Sequence, residues 1–235
     1  MPTTTTPVRR RLTSEQRRAQ IIEAVLPLFG QRGRDGVTTK ELAAIGGVSE
    51  ALIFRHFPTK QHLFDALLAH HTRATKAGHP AIREPAPPST LELVRIVCLF
   101  VHYVVYTNAT ENREVMRLYY RSFTEDGSFA RKFLELPNVR KVKLDFVAAL
   151  ESARAAGDAL PLPVDPLNLF WFAQHTINAA CLVRLPTPPV IRYTGEDKEA
   201  VHELVHYVLR GIGVKEKILR KHATAANFAR WWRES

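Results

Sequence analysis

TTKELAAIGGVSEALIFRHFPTK, residues 38–60, holds two helix starts on either side of a glycine pair. Thr38 with Glu41 three positions on has the form of a capping box: the hydroxyl accepts from a first-turn N–H, and the carboxylate reaches back to the cap's own N–H. Ser49 supplies a second N-cap. Between them Gly46-Gly47 permits a tight turn, and Val48 fills the space between the two helices. Pro58 ends the second helix, because it disfavours helical backbone at the residue before it. At about 100° per residue, Ile53 and Phe57 share one side of that helix, while Ala51, Leu52, Arg55 and His56 fan out across the other. The first pair packs. The second set fits a helix lying in a DNA major groove, where Ala and Leu touch thymine methyls and Arg or His donates to guanine or phosphate. A helical hairpin with a merely solvated polar face gives the same local pattern.

The flanks read as helix almost throughout. Thr13 and Gln16 form another capping-box pair, and Gly33 closes a helix expected over residues 14–32. Pro27 inside it removes a backbone bond and crowds the carbonyl of Glu23, so a kink or early break is expected there. Thr59 opens a long helix expected to end at Gly78-His79-Pro80. Residues 80–88 hold four prolines and read as a linker. Beyond it, Ser89 with Glu92 gives a further capping box before a helix so apolar from Ile96 to Tyr106 that it must be buried on nearly all sides. Further helices are expected over residues 111–122, 126–156 with a break at Pro137, 166–185 opened by Asp165-Pro166, 196–212, and a basic one over 215–232. No window alternates polar and apolar residues long enough to demand a sheet. The expected class is all-α, with an N-terminal three-helix helix-turn-helix module and a larger helical domain. The expected divisions are a basic arm at 1–13, the module with its connecting helix at 14–79, the linker at 80–88, and the large domain at 89–235.

Charge narrows the partner. The chain carries a net charge of +10, with a pI near 9.9. Residues 1–60 hold ten basic groups against five acids, half of that excess. An anionic partner follows, though charge alone does not separate nucleic acid from a membrane surface. No apolar signal segment stands near Met1, and the run Ile96 to Tyr106 is too short to span a bilayer, so a soluble cytoplasmic protein without a membrane partner is expected. Cys98 and Cys181 are too few and too separated for a disulfide framework or a cysteine zinc site and read as buried thiols.

The run Thr38-Thr39-Lys40-Glu41-Leu42-Ala43, then Gly47-Val48-Ser49, then Ile53-Phe54-Arg55-His56-Phe57 and Lys60, resembles the signature of the tetracycline-repressor (TetR) family. Gly33 and Thr38 also sit where that family places them. The likeness covers roughly residues 15–65; elsewhere it is architectural. It implies a homodimer joined through the helices at 166–185 and 196–212, binding a palindromic double-stranded DNA operator and released by a small-molecule effector. Residue by residue, it places Thr39, Phe54, His56 and Lys60 near phosphates. It places Lys40, Glu50, Ala51, Leu52 and Arg55 near base edges, with Ser49 capping the reading helix. Phe54 stands where the family usually has tyrosine and Ala51 where it often has glycine. Arg9, Arg10 and Arg11 precede the first helix, either reaching into a minor groove or forming a solvated tail.

Three further readings come from the larger domain. Few charges interrupt the helices that carry its aromatic and histidine set, so the effector is expected to be largely apolar or aromatic, with His102, Tyr106, Tyr120, Trp171 and His175 as candidate contacts. Val201, Leu204 and Val208 form an apolar stripe expected at the association surface. His202-Glu203-Leu204-Val205-His206 matches the HExxH zinc-hydrolase spacing, but Ile212 stands where a third ligand at the short spacing would be. Amphipathic packing accounts for that run, and no catalytic residue, metal or cofactor is expected. The alternatives are an architectural DNA-binding protein without an effector, and the zinc hydrolase.

Overall fold

The computed structural model describes residues 12–76 and 86–233, in two compact units that divide between His71 and Thr72. Arg9 to Arg11 and residues 80–85 of the proline-rich stretch lie outside the described residues. The observed class is all-α: no strand occurs among the described residues, and the one isolated bridge there pairs Ala159 with Val214.

The first unit contains α1 (Ser14–Arg32), α2 (Thr39–Ile45), α3 (Glu50–His56) and the start of α4 (Lys60–Lys76), which continues through the division between units. Both halves of the Thr13–Gln16 and Thr38–Glu41 boxes are formed. The early break expected at Pro27 does not occur, and α1 continues to Arg32. Val25, Leu28 and Phe29 are buried on either side of the proline while its ring faces solvent, so packing outweighs the missing backbone bond. Ile21, Phe29, Leu42, Ile53, Phe57 and Leu63 are almost wholly inaccessible and form the core. Phe64 meets Phe29 edge to face at 5.6 Å between ring centres.

The second unit is built on one long helix: α5 (Thr90–His102), a π-helical turn (Tyr103–Thr107) and α6 (Asn108–Thr110). Ser89 caps α5, but the expected capping box is only half formed. The Glu92 carboxylate takes both ends of the Arg95 guanidinium, at 2.8 and 2.6 Å, because a bidentate ion pair competes for the oxygens the Ser89 N–H would use. Around this helix lie α7 (Arg113–Thr124), α8 (Ser128–Leu134), α9 (Pro137–Ala155), α10 (Pro166–Leu182), α11 (Asp197–Gly211), α12 (Glu216–His222) and α13 (Ala225–Arg233). The central helix packs on α9 and α11 directly, on α10 through its π turn, and on α13. Leu93, Val94, Cys98 and Val101 of α5 are fully buried there, as are Ala149, Leu150, Val205 and Leu209. Thr90–Thr110 is long and apolar enough to cross a membrane by length and composition, which the shorter run counted in the sequence did not reveal. Half of its apolar window is buried inside the protein.

The single basic helix expected over 215–232 is two. Ala223 leaves the helical region, and Thr224 begins again by accepting from the Asn227 N–H at 3.2 Å. Where the chain passes from α11 to α12, Gly213 has φ of 91°, and a side chain there would meet the Leu160 carbonyl at 3.2 Å. That close approach lets the Gly213 carbonyl accept from the Leu160 N–H at 2.8 Å.

Candidate nucleic-acid interface

The site is assembled from three short-range devices. Thr38 starts α2 with both its N–H and its hydroxyl donating to Glu41, each at 2.8 Å. Arg32 adds an ion pair to the other Glu41 oxygen at 2.7 Å. The Thr38 backbone bond first, then its hydroxyl and Arg32, hold the Glu41 carboxyl below the usual carboxylate range. The turn then passes through Gly47 at φ 61°, a left-handed conformation that glycine adopts without strain. Ser49 restarts the chain, its hydroxyl accepting from the Leu52 N–H at 3.2 Å.

α3 separates its two sides as the wheel requires. Ile53 and Phe57 are buried, Glu50, Ala51, Phe54 and Arg55 are exposed, and Leu52 and His56 are half-buried. Ser49 and Lys40 are exposed beside them, while Thr39 and Lys60 are partly covered. All ten sequence-derived candidates therefore fall on α2, α3, the cap between them, or the first residue of α4, and each offers at least part of its side chain to solvent.

Sequence reasoning missed Arg18. From α1 its guanidinium lies 4.4 Å from the centre of the Phe57 ring and donates to the His56 carbonyl, closing the C-terminal end of α3. It satisfies a carbonyl that the helix leaves unpaired while covering the aromatic face. No local pattern marks it, because the carbonyl it meets stands 38 positions away. Burial first, then Arg18, Arg55 and Arg17, press the His56 pKa below the ordinary histidine value, so at neutral pH the imidazole is uncharged.

The five effector candidates fall at three places in the second unit. His102 stacks on Tyr106 at 5.3 Å and on Trp232 of α13 at 4.5 Å. Tyr120 of α7 donates to the Asn178 side-chain oxygen at 2.8 Å. Trp171 and His175 stack at 6.3 Å on α10, with the Lys143 ammonium 5.5 Å from the indole. Two surface grooves lie elsewhere, on α10 and α11: Phe172, Thr176 and Tyr207 border one, and Arg184, Tyr193, Leu204 and Tyr207 border the other.

The apolar stripe on α11 needs correction. Val201, Val205 and Val208 are buried within the chain, so they are core; of the named stripe, Val208 lines the floor of the groove beside Phe172 and part-exposed Leu204 borders the other. The large exposed apolar groups on these two helices are instead Leu167, Phe172 and Leu182 on α10 and Tyr207 on α11, at 40, 58, 46 and 67% exposure. In the HExxH run, His202 lies 4.7 Å from Phe228 and 5.1 Å from Trp232, and His206 lies 6.3 Å from Phe228. Both imidazoles pack on α13, and Glu203 turns to the groove. Among the described residues no three metal-type ligands converge. Cys98 and Cys181 are buried, and burial pushes their thiols up to about 12 and about 11, in keeping with inert core positions.

Two capped helices across a glycine turn, the second with one buried and one exposed side, define a helix-turn-helix module. Residues 21–67, within the N-terminal unit, match the family model described as bacterial regulatory proteins, tetR family. The nucleoid occlusion factor SlmA of Haemophilus influenzae (strain PittGG) is 39% identical over 70 residues, which cover 29% of this chain and 32% of that protein. The chain thus matches about a third of the length of this relative. Two solved structures share the fold over most of the chain. A bacterial regulatory protein in the tetR family from Rhodococcus RHA1 is 20% identical with a TM-score of 0.63, covering 86% of this chain and 99% of its own. A ketosteroid transcriptional regulator of Mycobacterium tuberculosis is 19% identical with a TM-score of 0.58, covering 85% and 96%.

Proposed function

We propose that the chain is a transcriptional regulator that binds a palindromic DNA operator as a homodimer, α3 lying in the major groove, and that a small molecule releases it. The observation that carries the reading is the two-sided α3: Ile53 and Phe57 anchor it while Arg55, Glu50 and Ala51 remain available to base edges. Thr39, His56 and Lys60 act on phosphates, with Phe54 beside them, and so hold register, and the base-edge set with Lys40 and Leu52 specifies sequence. Phe54 has no hydroxyl, so its contact is with sugar or thymine methyl. The homodimer forms over Phe172, Leu182, Leu204 and Tyr207, because large exposed apolar groups on two adjacent long helices suit a second copy of the same surface.

The effector reading rests on the size of the second unit, which exceeds what dimerisation alone requires, and on the scarcity of charge along Thr90–Thr110 and α10. His102, Tyr106, Tyr120, Trp171 and His175 are its candidate contacts, and a largely apolar or aromatic molecule is its candidate class. A tenfold loss of operator affinity on binding corresponds to a coupling of about 1.4 kcal/mol, and operator DNA then weakens the effector equally.

The test is selection of DNA by the full chain from a genomic pool, followed by footprinting. A short palindrome with half-sites about one helical turn apart, or a small multiple of it, supports the regulator. Uniform coverage without a preferred site supports an architectural DNA-binding protein instead.

A further inference from the structure

The excess positive charge of this chain sits at its two ends. Residues 1–60 carry +5, and residues 215–235 carry +4: Lys215, Lys217, Arg220, Lys221, Arg230 and Arg233 against Glu216 and Glu234. With a chain total of +10, everything between is close to balanced. The first concentration belongs to the helix-turn-helix unit. The second has no part in that module.

α12 and α13 hold this charge outward. Ile218, Leu219, Phe228 and Trp231 are buried, while Lys217, Arg220, Lys221, Arg230 and Arg233 are exposed. The two helices are fastened in place. The Asn227 amide donates to the His222 carbonyl at 2.9 Å, and Trp232 stacks against His102 of α5 and contacts His202 of α11. Acids offset part of α12: Glu216 pairs with Arg210 at 3.0 Å and lies 3.6 Å from Arg220, and Asp158 lies 3.4 Å from Lys217. α13 itself contains no acidic residue, and its remaining exposed positions are Ala225, Ala226 and Ala229. Solvated faces usually intersperse both signs, whereas a face of one sign on a rigid support raises the local concentration of anions.

We propose that the exposed face of α12 and α13 is a second, sequence-independent nucleic-acid contact, which holds the sugar-phosphate backbone through Lys221, Arg230 and Arg233. The choice of nucleic acid rests on the DNA-binding reading of the first unit. An anionic membrane is the less suitable partner, because Phe228 and Trp231, the groups that would enter the acyl layer, are already buried inside the protein.

The test uses the full chain, a selected operator, a long duplex without that site, and the triple variant Lys221→Gln, Arg230→Gln, Arg233→Gln. On the long duplex, the slope of log affinity against log salt is expected to fall by about 0.9 for each phosphate no longer neutralised, about 2.7 in all. The conservative variant Lys221→Arg, Arg230→Lys, Arg233→Lys should keep the wild-type slope, which separates the removal of charge from a failure to fold. Lys60→Ala serves as the control for the first unit. If Lys60→Ala lowers the slope and the glutamine variant does not, the second contact is refuted and the helix-turn-helix reading stands. If neither variant changes binding, both readings fail. Wild-type slopes on duplex together with charge-dependent capture by phosphatidylserine vesicles would overturn nucleic acid in favour of a lipid surface.

Discussion

The exposed side of α3 and the exposed side of the α10–α11 pair differ in chemistry as much as in position. On α3, Glu50, Arg55 and half-buried His56 stand among the small or apolar Ala51, Leu52 and Phe54, over two turns of helix. On α10 and α11, Phe172, Leu182 and Tyr207 stand out along two helices of 17 and 15 residues, Phe172 and Tyr207 bordering surface grooves. A short capped helix with mixed donors and small groups matches the alternating edges of a groove in DNA. Long apolar helix faces match another apolar surface. Exposure by itself therefore says little about the partner; what is exposed, and on how long a support, says more.

The comparison breaks most visibly where anchor and reader are exchanged. Phe57→Ala empties a fully buried site under the Arg18 guanidinium and should cost about 3–5 kcal/mol of stability, seen as a lowered melting temperature and abolished DNA binding. Phe54→Ala, three positions earlier on the exposed side, should leave stability within about 0.5 kcal/mol. Equal losses from the two would mean that α3 has no exposed reading side.

On the second surface, Tyr207→Asp should weaken self-association by about 2 kcal/mol, roughly thirtyfold, measured by sedimentation equilibrium with the fold unchanged by circular dichroism. Val208→Asp, one residue on but buried, should unfold the second unit instead. A Tyr207→Asp protein that associates as wild type would remove the proposed interface.

Within α3 and its neighbour the comparison sharpens to single contacts. Arg55→Ala should relax preference at particular base positions by about 1–3 kcal/mol, while Lys60→Ala should weaken all sequences alike and lower the salt slope by about one unit. A changed sequence preference with Lys60→Ala, and none with Arg55→Ala, would reverse the two roles.

The smallest expected effect is a pH dependence. Burial first, then the neighbouring arginines, lower the His56 pKa in the free protein, so the ring is mostly neutral near pH 7 and gains its proton at a lower pH than an ordinary histidine. A nearby phosphate favours the charged ring, so operator affinity should rise as pH falls through that lowered pKa, and the rise should be absent in His56→Gln. Binding titrations from neutral to mildly acidic pH read this directly; identical profiles for the two proteins would remove His56 from the contact.

Much of this was legible in the chain because it is local. Thr13, Thr38, Ser49 and Asp165 cap helices through bonds that span two or three residues, so their spacing alone places helix starts. The division of α3 into Ile53 and Phe57 against Arg55 and its neighbours follows from helical periodicity in the same way. What tertiary structure decided concerns partners distant in sequence. Arg18 finds the end of α3, and α1 continues through Pro27 because buried neighbours hold it on both sides. Val201 and Val208 are buried and part of the core, whereas Phe172 and Tyr207 are exposed. An apolar stripe has a direction only once its neighbours are in place: periodicity fixes which residues share a helix face, and packing fixes what that face meets.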